Sequence, residues 1–390
     1  MISRILYGKL VPFAGILFFS VLLAVHAPPA HGQTFHNGGV GSCSGCHTMH
    51  DGTPTVEQPL LLRADSSSIC LNCHAGPGGS NSIHVMSPDG SALTPGGDFY
   101  WLTRSFSWLD GDSPGYDHGH NVIAADYNLS IDPVLNQSPG GNYPAARLSC
   151  ISCHDPHGQV SGGTAGGHPA VSQSGSYGVD GGNYRLLGDA GYQPPGGITF
   201  VNDAPVARQS ESDPYGESSA SHVDYGLGMA AWCGNCHGTI VTSRHLSLGS
   251  GSNFRHSTDR TLGNAFINMY NAYINSGDLS GSVASSRLQF LPFERGTADF
   301  QLLDPNSVEG MDNNSRLMCL SCHRAHASAF PNAGRWDFTA SLLVDSHPAV
   351  GDAGVSGSDV YYSYYGRDIA NEFGVGQGQF CEKCHGPATP

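Results

Sequence analysis

Twelve cysteines in a chain of 390 residues leave little freedom, because all twelve fall into six Cys-x-x-Cys pairs and each pair runs directly into a histidine. The pairs are Cys43/Cys46, Cys70/Cys73, Cys150/Cys153, Cys233/Cys236, Cys319/Cys322 and Cys381/Cys384; the histidines are His47, His74, His154, His237, His323 and His385. Disulfides would account for paired cysteines but not for the histidine after each. Zinc ribbons need no histidine at that place. A thioredoxin-like pair would be expected once, near a βαβ pattern, not six times. With 20 histidines in 390 residues, six such coincidences have odds on the order of 1 in 10⁸, whereas C-x-x-C-H is the attachment signature of c-type haem. The spacing follows from the chemistry. Each sulfur adds to one vinyl group, two intervening residues let both reach the same porphyrin edge, and the next residue turns its imidazole to the iron. The six histidines therefore read as proximal ligands of six covalently bound haem c groups.

Composition sets the fold class. Gly is 53, Pro is 24 and charged residues are 13%, a composition poorly suited to a large side-chain core. Porphyrins are large, flat and apolar, so the expectation is a haem-cored, elongated multihaem cytochrome c, mostly irregular coil with short α-helices and few strands. The apo-chain is expected to be largely unfolded. Turn-rich stretches such as "SPDGSALTPGGD" and "SPGGNYP" read as loops over haem, with a flexible stretch from Gly158 to Gly182. One helix is legible: Leu262, Ala265, Phe266, Met269, Tyr270, Tyr273 and Ile274 recur at helical spacing, with Gly277 as the stop. Short helical turns are expected under the C-x-x-C-H motifs. Trp101, Trp108, Trp232, Trp336 and "YYSYYGR" read as packing residues against porphyrin and subunit contacts rather than electron relays.

The first 32 residues read as a secretion signal. Arg4 and Lys9 precede an apolar run from Leu10 to Val25, interrupted by Pro12, and small residues near Ala30 to Gly32 suit cleavage. Residues 33–390 then form one hexahaem unit, secreted through the periplasm, which fits attachment of haem c outside the cytoplasm. Removing the signal takes the net charge from −15 to −17, and twelve propionates would carry it to about −29. Nucleic acid is excluded as a partner for such a surface.

Six irons need six further ligands. Outside the signal there remain His36, His50, His84, His118, His120, His157, His168, His222, His245, His256, His326 and His347, while only 7 Met are present. Bis-histidine ligation is the natural reading; it fills both axial positions and favours electron transfer over substrate binding. His50, His157 and His326 each lie three residues after a proximal histidine, in "CHTMH", "CHDPH" and "CHRAH". On one helical turn both side chains share a face. Such a histidine cannot reach across its own macrocycle, so it points to the iron of another haem packed against the same turn.

With these motifs in view, the sequence resembles the extracellular hexahaem c-type cytochromes that polymerise into filaments, the OmcS type. The likeness includes "FHNGGVGSCSGCHTMH", "TPGGDFYWL", "GHNVIAADYN", "YRLLGDAGYQP", "YGLGMAAWCGNCH" and "LPFERGTADF" as well as the haem motifs. It implies a head-to-tail homopolymer that conducts electrons to extracellular acceptors such as metal oxides, in exchange with other cytochromes. It implies His36, His50, His84, His120, His157, His256 and His326 as the ligand candidates, with His118, His168, His222, His245 and His347 outside that set. It also implies that His50 ligates the His323 haem of the neighbouring subunit. A soluble periplasmic carrier is the alternative. A multihaem reductase needs an open iron, and neither a C-x-x-C-K motif nor a shortage of histidines points to one, so the chain reads as an electron-transfer protein and not an enzyme.

Overall fold

Short turns that carry cysteine pairs, each pinned by a segment from elsewhere in the chain, organise this fold. The computed structural model describes residues 45–48, 61–79, 82–156, 183–210, 217–218, 221–243, 245–248, 252–255, 258–273, 281–373, 380 and 383–384, all within the unit Gly32–Pro390. The signal segment and the Gly158–Gly182 stretch lie outside the described residues. Among the described residues the helices are α1 (Ser66–His74), α2 (Met229–Cys233), α3 (Gly238–Ser243), α4 (Asn264–Ala272), α5 (Gly357–Ser363) and α6 (Ile369–Phe373). Antiparallel two-stranded ladders join β1 (Phe106–Trp108) to β2 (Gly111–Ser113), β3 (Ala207–Gln209) to β4 (Val223–Tyr225), and β5 (His245–Leu248) to β6 (Ser252–Arg255). The remainder is coil and 3₁₀ turn, the irregular multihaem architecture expected from the sequence.

The motif turns form for local reasons. α1 starts because Asp65 caps it, accepting from the Ser68 amide at 2.7 Å and the Ser68 hydroxyl at 2.9 Å. The same carboxylate accepts from the Ala125 amide at 2.8 Å, and Ser67 Oγ accepts from the Cys150 amide at 3.1 Å. The helix under the second motif is thereby tied to the third.

The third and fifth motifs are built alike. Cys150–Ser152 and Cys319–Ser321 are 3₁₀ turns. Ser152 Oγ accepts from the Ser149 amide at 2.9 Å, and Ser321 Oγ from the Met318 amide at 3.1 Å. A returning segment then pairs with each motif: Gly188 N to Cys153 O and Arg335 N to Cys322 O, both 2.8 Å, and Asp155 N to Leu186 O and Arg324 N to Ala333 O, both 2.7 Å. Each returning segment carries two successive left-handed residues, Arg185 and Leu186 (φ 48° and 57°) in one, Asn332 and Ala333 (φ 58° and 53°) in the other. Left-handed backbone at a residue with a Cβ costs roughly 1–2 kcal/mol, so its appearance twice at equivalent places marks a required geometry. No fixed sequence period reveals this duplication.

Two expectations are corrected. The helix near residue 264 spans Asn264–Ala272, and its buried positions are Ile267 and Tyr270, with Tyr273 capping it; Ala265 is exposed. Ile274 and Gly277 lie outside the described residues. The chain also builds a larger side-chain core than its composition promised. Phe290 meets Tyr364, Phe373 and Phe380 at ring distances of 5.9, 6.5 and 5.5 Å, and Trp336 packs on Phe380 at 5.2 Å. Trp101, Phe106, Tyr270, Phe293 and Phe330 are all buried. Sixteen Phe and sixteen Tyr concentrate burial into few residues, each worth about 1.5–3 kcal/mol when fully buried, which offsets the glycine content. Trp232 packs on Phe200 at 5.9 Å and donates Nε1–H to Gly188 O at 2.8 Å, and Trp108 stacks on His347 at 3.8 Å.

Charges are used inside as well. Glu217 lies between the buried Arg324 and Arg335, with Arg335 Nη1 at 3.0 Å, and the Arg324 guanidinium sits 3.7 Å from the Tyr365 ring centroid. Replacing Glu217 by Gln leaves two buried guanidinium groups without a counter-charge. The expected outcome is a loss of about 3–5 kcal/mol, read as a lowered denaturation midpoint at unchanged haem content.

Candidate functional site

Four of the motif histidines, His74, His154, His237 and His323, share one arrangement. His74 Nδ1 lies 2.9 Å from Ile83 O, and His154, His237 and His323 lie 2.8 Å from Arg185 O, Pro139 O and Asn332 O. A carbonyl only accepts, so each Nδ1 carries the proton and each Nε2 keeps its lone pair. This is the state in which imidazole binds a metal, and the second bond fixes the ring's orientation. His120 Nδ1 with Ala325 O and His84 Nδ1 with Pro77 O, both 2.7 Å, follow the same rule.

Each carbonyl is supplied by a loop shaped for it. Arg185 and Asn332 are the left-handed residues described above. At the fourth motif the turn Ser138–Gly141 presses against the backbone: Ser138 Oγ donates to Cys236 O at 2.7 Å, and a Cβ on Gly141 would lie 1.7 Å from that same oxygen. Only glycine fits there.

Two pairs of rings face one another. His154 and His326 have ring centroids 6.4 Å apart with planes inclined by 51°; His120 and His237 are 6.1 Å apart and inclined by 59°. Two imidazoles bound on opposite sides of one metal, through bonds of about 2 Å, bring their centroids to this separation. Phe99 stacks on the His326 ring at 4.8 Å. Gly97 (φ +97°) lets the chain pass, since a Cβ there would meet Ala327 O at 2.0 Å. Burial lowers the basicity of all four rings, taking His120 to about 4 and His326 to about 3, with the facing imidazole adding to the effect; His154 and His237 are lowered by burial too. Each is neutral at physiological pH and free to donate a lone pair to a metal.

The cysteines set an order. Cys70 and Cys150 are within hydrogen-bonding reach of one another, as are Cys233 and Cys319. Burial pushes Cys153 up to about 12, with the neighbouring Cys236 the next contributor. The second, third, fourth and fifth motifs therefore succeed one another in space as they do in sequence.

Three other histidines have hydrogen-bond partners of their own. His118 is buried with both nitrogens engaged, Nδ1 on Trp101 O at 2.9 Å and Nε2 on Ser113 Oγ at 2.7 Å. His347 pairs with Asp352 at 2.6 Å, and His222 Nδ1 lies 3.2 Å from Ser218 O. Cys43, Cys381, His385, His36, His50, His157 and His256 lie outside the described residues; Cys46, His47, Cys73, Cys322 and Cys384 lie within them.

Known proteins match this chain, some of them across nearly their whole length. The doubled CXXCH motif family matches residues 36–78. The C-type cytochrome OmcS of Geobacter sulfurreducens is 38% identical over 93% of this chain and 96% of its own length. The chain belongs to the OmcS family of c-type cytochromes. Two solved OmcS structures from the same organism, titled as a filament and as nanowires, superpose with TM-scores of 0.69 and 0.71 at 33% and 35% identity, each over 90% of this chain and 99% of the other. Its cofactor is accordingly covalently bound haem c, and the donors described here fit that group: paired cysteines, imidazoles with Nε2 free, and facing rings at the right span.

The sequence did not disclose the carbonyl partners. Ile83, Pro139, Arg185, Asn332, Ala325 and Pro77 act through backbone oxygens, which every residue possesses. The "SPGG" turn at 138–141 was the one visible trace. For this OmcS-family chain, His118→Ala should cost about 2–4 kcal/mol through a cavity and two lost hydrogen bonds. Haem content and the low-spin optical spectrum should not change.

Proposed function

We propose that this chain is an extracellular electron conduit, in which six bis-histidine haem c groups follow one another and copies join head to tail into a conductive filament. The observation that carries the reading is the 6.4 Å separation of His154 and His326. Family membership and the filaments seen for the solved OmcS relatives support it independently. Bound haem supplies reversible one-electron chemistry at each iron; the chain supplies attachment, axial ligands and spacing. Thioethers form at the twelve motif cysteines, from Cys43 to Cys384. His47, His74, His154, His237, His323 and His385 are the proximal ligands. His326 completes the iron of His154 and His120 completes that of His237. Four of His36, His50, His84, His157 and His256 supply the rest. With both axial positions filled, the irons exchange electrons without binding substrate, so the protein transfers electrons and is not an enzyme.

The duplicated motifs give the polymer its logic. His326 stands three residues after His323 but faces His154, so the histidine after the fifth motif serves the third. By the same step His157, after the third motif, serves the first at His47. His50, after the first motif, has no earlier partner in its own chain. In a head-to-tail polymer the position two motifs earlier is the His323 motif of the preceding copy, which is the partner that the family resemblance implies. A head-to-tail contact that does not close yields a filament. Residues 1–32 direct export through the periplasm and are removed on the way. Extracellular acceptors such as metal oxides, and other cytochromes, are the redox partners.

His326→Ala tests the ligand assignment. Six haem additions should remain by mass spectrometry, while electron paramagnetic resonance should show a high-spin signal from about one iron in six. A fully low-spin spectrum would remove His326 from the ligand set. His50→Ala tests the assembly: filaments seen by negative stain should shorten or vanish at full haem content. Normal filaments with every iron low-spin would sink the cross-subunit bond.

A further inference from the structure

Glu294 is fully buried, yet one of its carboxylate oxygens has no hydrogen-bond partner. Oε1 accepts from the Met229 amide at 2.8 Å and from the Ala230 amide at 3.4 Å, while Oε2 is shielded from water and unpaired. A carboxylate held only to start a helix would sit at the surface or use both oxygens. This one abuts an apolar cluster of Met229, Met318, Leu320 and Tyr225, against which Cys233 packs.

Its position relative to the electron path is specific. The amides it holds begin α2, and α2 ends at Cys233, a rise of about 6 Å along the helix. Cys233 is the residue in contact with Cys319, so Glu294 lies beside the junction between the fourth and fifth motifs. Its charge acts on the Cys233 sulfur. We propose that Glu294 is a proton-binding site coupled to this junction, taking up a proton at Oε2 when an electron arrives there and releasing it when the electron leaves. Each cycle balances: one iron is reduced from Fe(III) to Fe(II) while one carboxylate becomes a carboxylic acid, and the reverse follows. The filament would then carry protons on and off at each repeat as electrons pass. The inference rests on the haem attachment at Cys233 and Cys319 proposed above.

The surroundings allow such a titration near neutrality. Burial raises the carboxyl and the two amides offset part of this; Asp259 raises it slightly and Arg316 lowers it, leaving it at about 7. Arg316 pairs backbone to backbone with Glu294, at 2.9 Å in both directions, and its own Nε is buried without a partner. Tyr225 of β4 bridges to Glu294 through the backbone, with its ring against Tyr184 at 6.1 Å. The Arg316–Asp259 pair, 3.2 Å apart and about one-third exposed on both sides, sets its two opposed charges beside the carboxyl. The sign is fixed by electrostatics. An added electron stabilises the protonated form, so the junction's potential falls as pH rises through the window around 7.

Spectroelectrochemical titration of the intact holoprotein between pH 6 and 9 tests this, with reduced-minus-oxidised infrared difference spectra alongside. In the wild type, one component of the reduction curve should fall with pH, approaching a tenfold change in the reduction equilibrium per pH unit, or about 59 mV for one electron. Glu294→Gln keeps the amide contacts and mimics the protonated form. That component should become independent of pH at its low-pH value, and one protonated-carboxyl band should disappear from the infrared difference. Arg316→Gln should instead move the window to higher pH. Retention of slope and band in Glu294→Gln, or an unmoved window in Arg316→Gln, overturns the proposal. Mass and low-spin spectra of both variants report separately on haem attachment and ligation, so a failure of the conduit reading would be seen there and not in the slope.

Discussion

An imidazole bound to a metal has one nitrogen left over, and much of this structure follows from where that nitrogen's proton goes. Buried without an acceptor, the N–H would cost about 1–3 kcal/mol and the ring could rotate off its metal. Four motif histidines give the proton to a backbone carbonyl brought by a returning segment: His74 to Ile83, His154 to Arg185, His237 to Pro139, His323 to Asn332. These bonds link residues 9, 31, 98 and 9 apart in sequence. The coil that fills the chain is thus a set of return paths, and their curvature is set by the need to present one oxygen at one place. The left-handed pairs at Arg185–Leu186 and Asn332–Ala333 are the local cost of that presentation.

What the sequence could disclose divides along the same line. Side chains that do chemistry are visible as letters. The twelve cysteines and six following histidines point to the cofactor, and the three-residue offset of His326 points to a partner outside its own motif; its ring lies 6.4 Å from that of His154. His118 and His120 are two residues apart, and from residue type alone they are equivalent. The fold separates them: His118 spends both nitrogens on Trp101 and Ser113, whereas His120 gives up one and turns the other toward His237. Ile267 was missed on the α4 face for a related reason. Its neighbours Phe266 and Met269 are more conspicuous apolar letters, but the helix starts at Asn264, after Gly263, and that start sets which residues turn inward. The side-chain core was underestimated because glycine content was read as an absence of packing. Here glycines sit where chains cross, as at Gly97 and Gly141, and so bring the aromatics together.

A fold with few ladders needs another source of uniqueness. Helices and sheets acquire it from repeated backbone bonds, each reinforcing the next. In this chain buried polar groups join segments far apart in sequence. Asp224 takes Arg287 Nη1 and Arg295 Nε at 3.0 Å, holding β4 to the 287–295 stretch. Asp359 takes Arg104 at 2.7 Å and Tyr100 at 2.8 Å across more than 250 residues. Lys383, inside the last Cys-x-x-Cys pair, is fully buried and donates to Tyr270 O, Tyr273 O and Ser286 O at 2.9, 3.1 and 2.7 Å. It caps the C-terminal end of α4, where carbonyls otherwise lack donors. The Tyr270 ring lies 3.8 Å from its ammonium.

Such groups contribute less to net stability than their number suggests, because desolvation consumes most of what pairing returns. Their effect is on alternatives. A misplaced loop strands an arginine or a lysine in an apolar interior, at several kcal/mol for each, whereas a misplaced aromatic merely packs elsewhere. Spacing between successive haems has to be reproduced in every copy of a conduit, so a fold that penalises wrong arrangements suits it better than one that only rewards burial. Lys383 illustrates the point. Its position two residues before His385 makes the last motif's seating on α4 conditional on three carbonyls converging, and a shift of a single residue in the C-terminal segment would forfeit all three bonds at once.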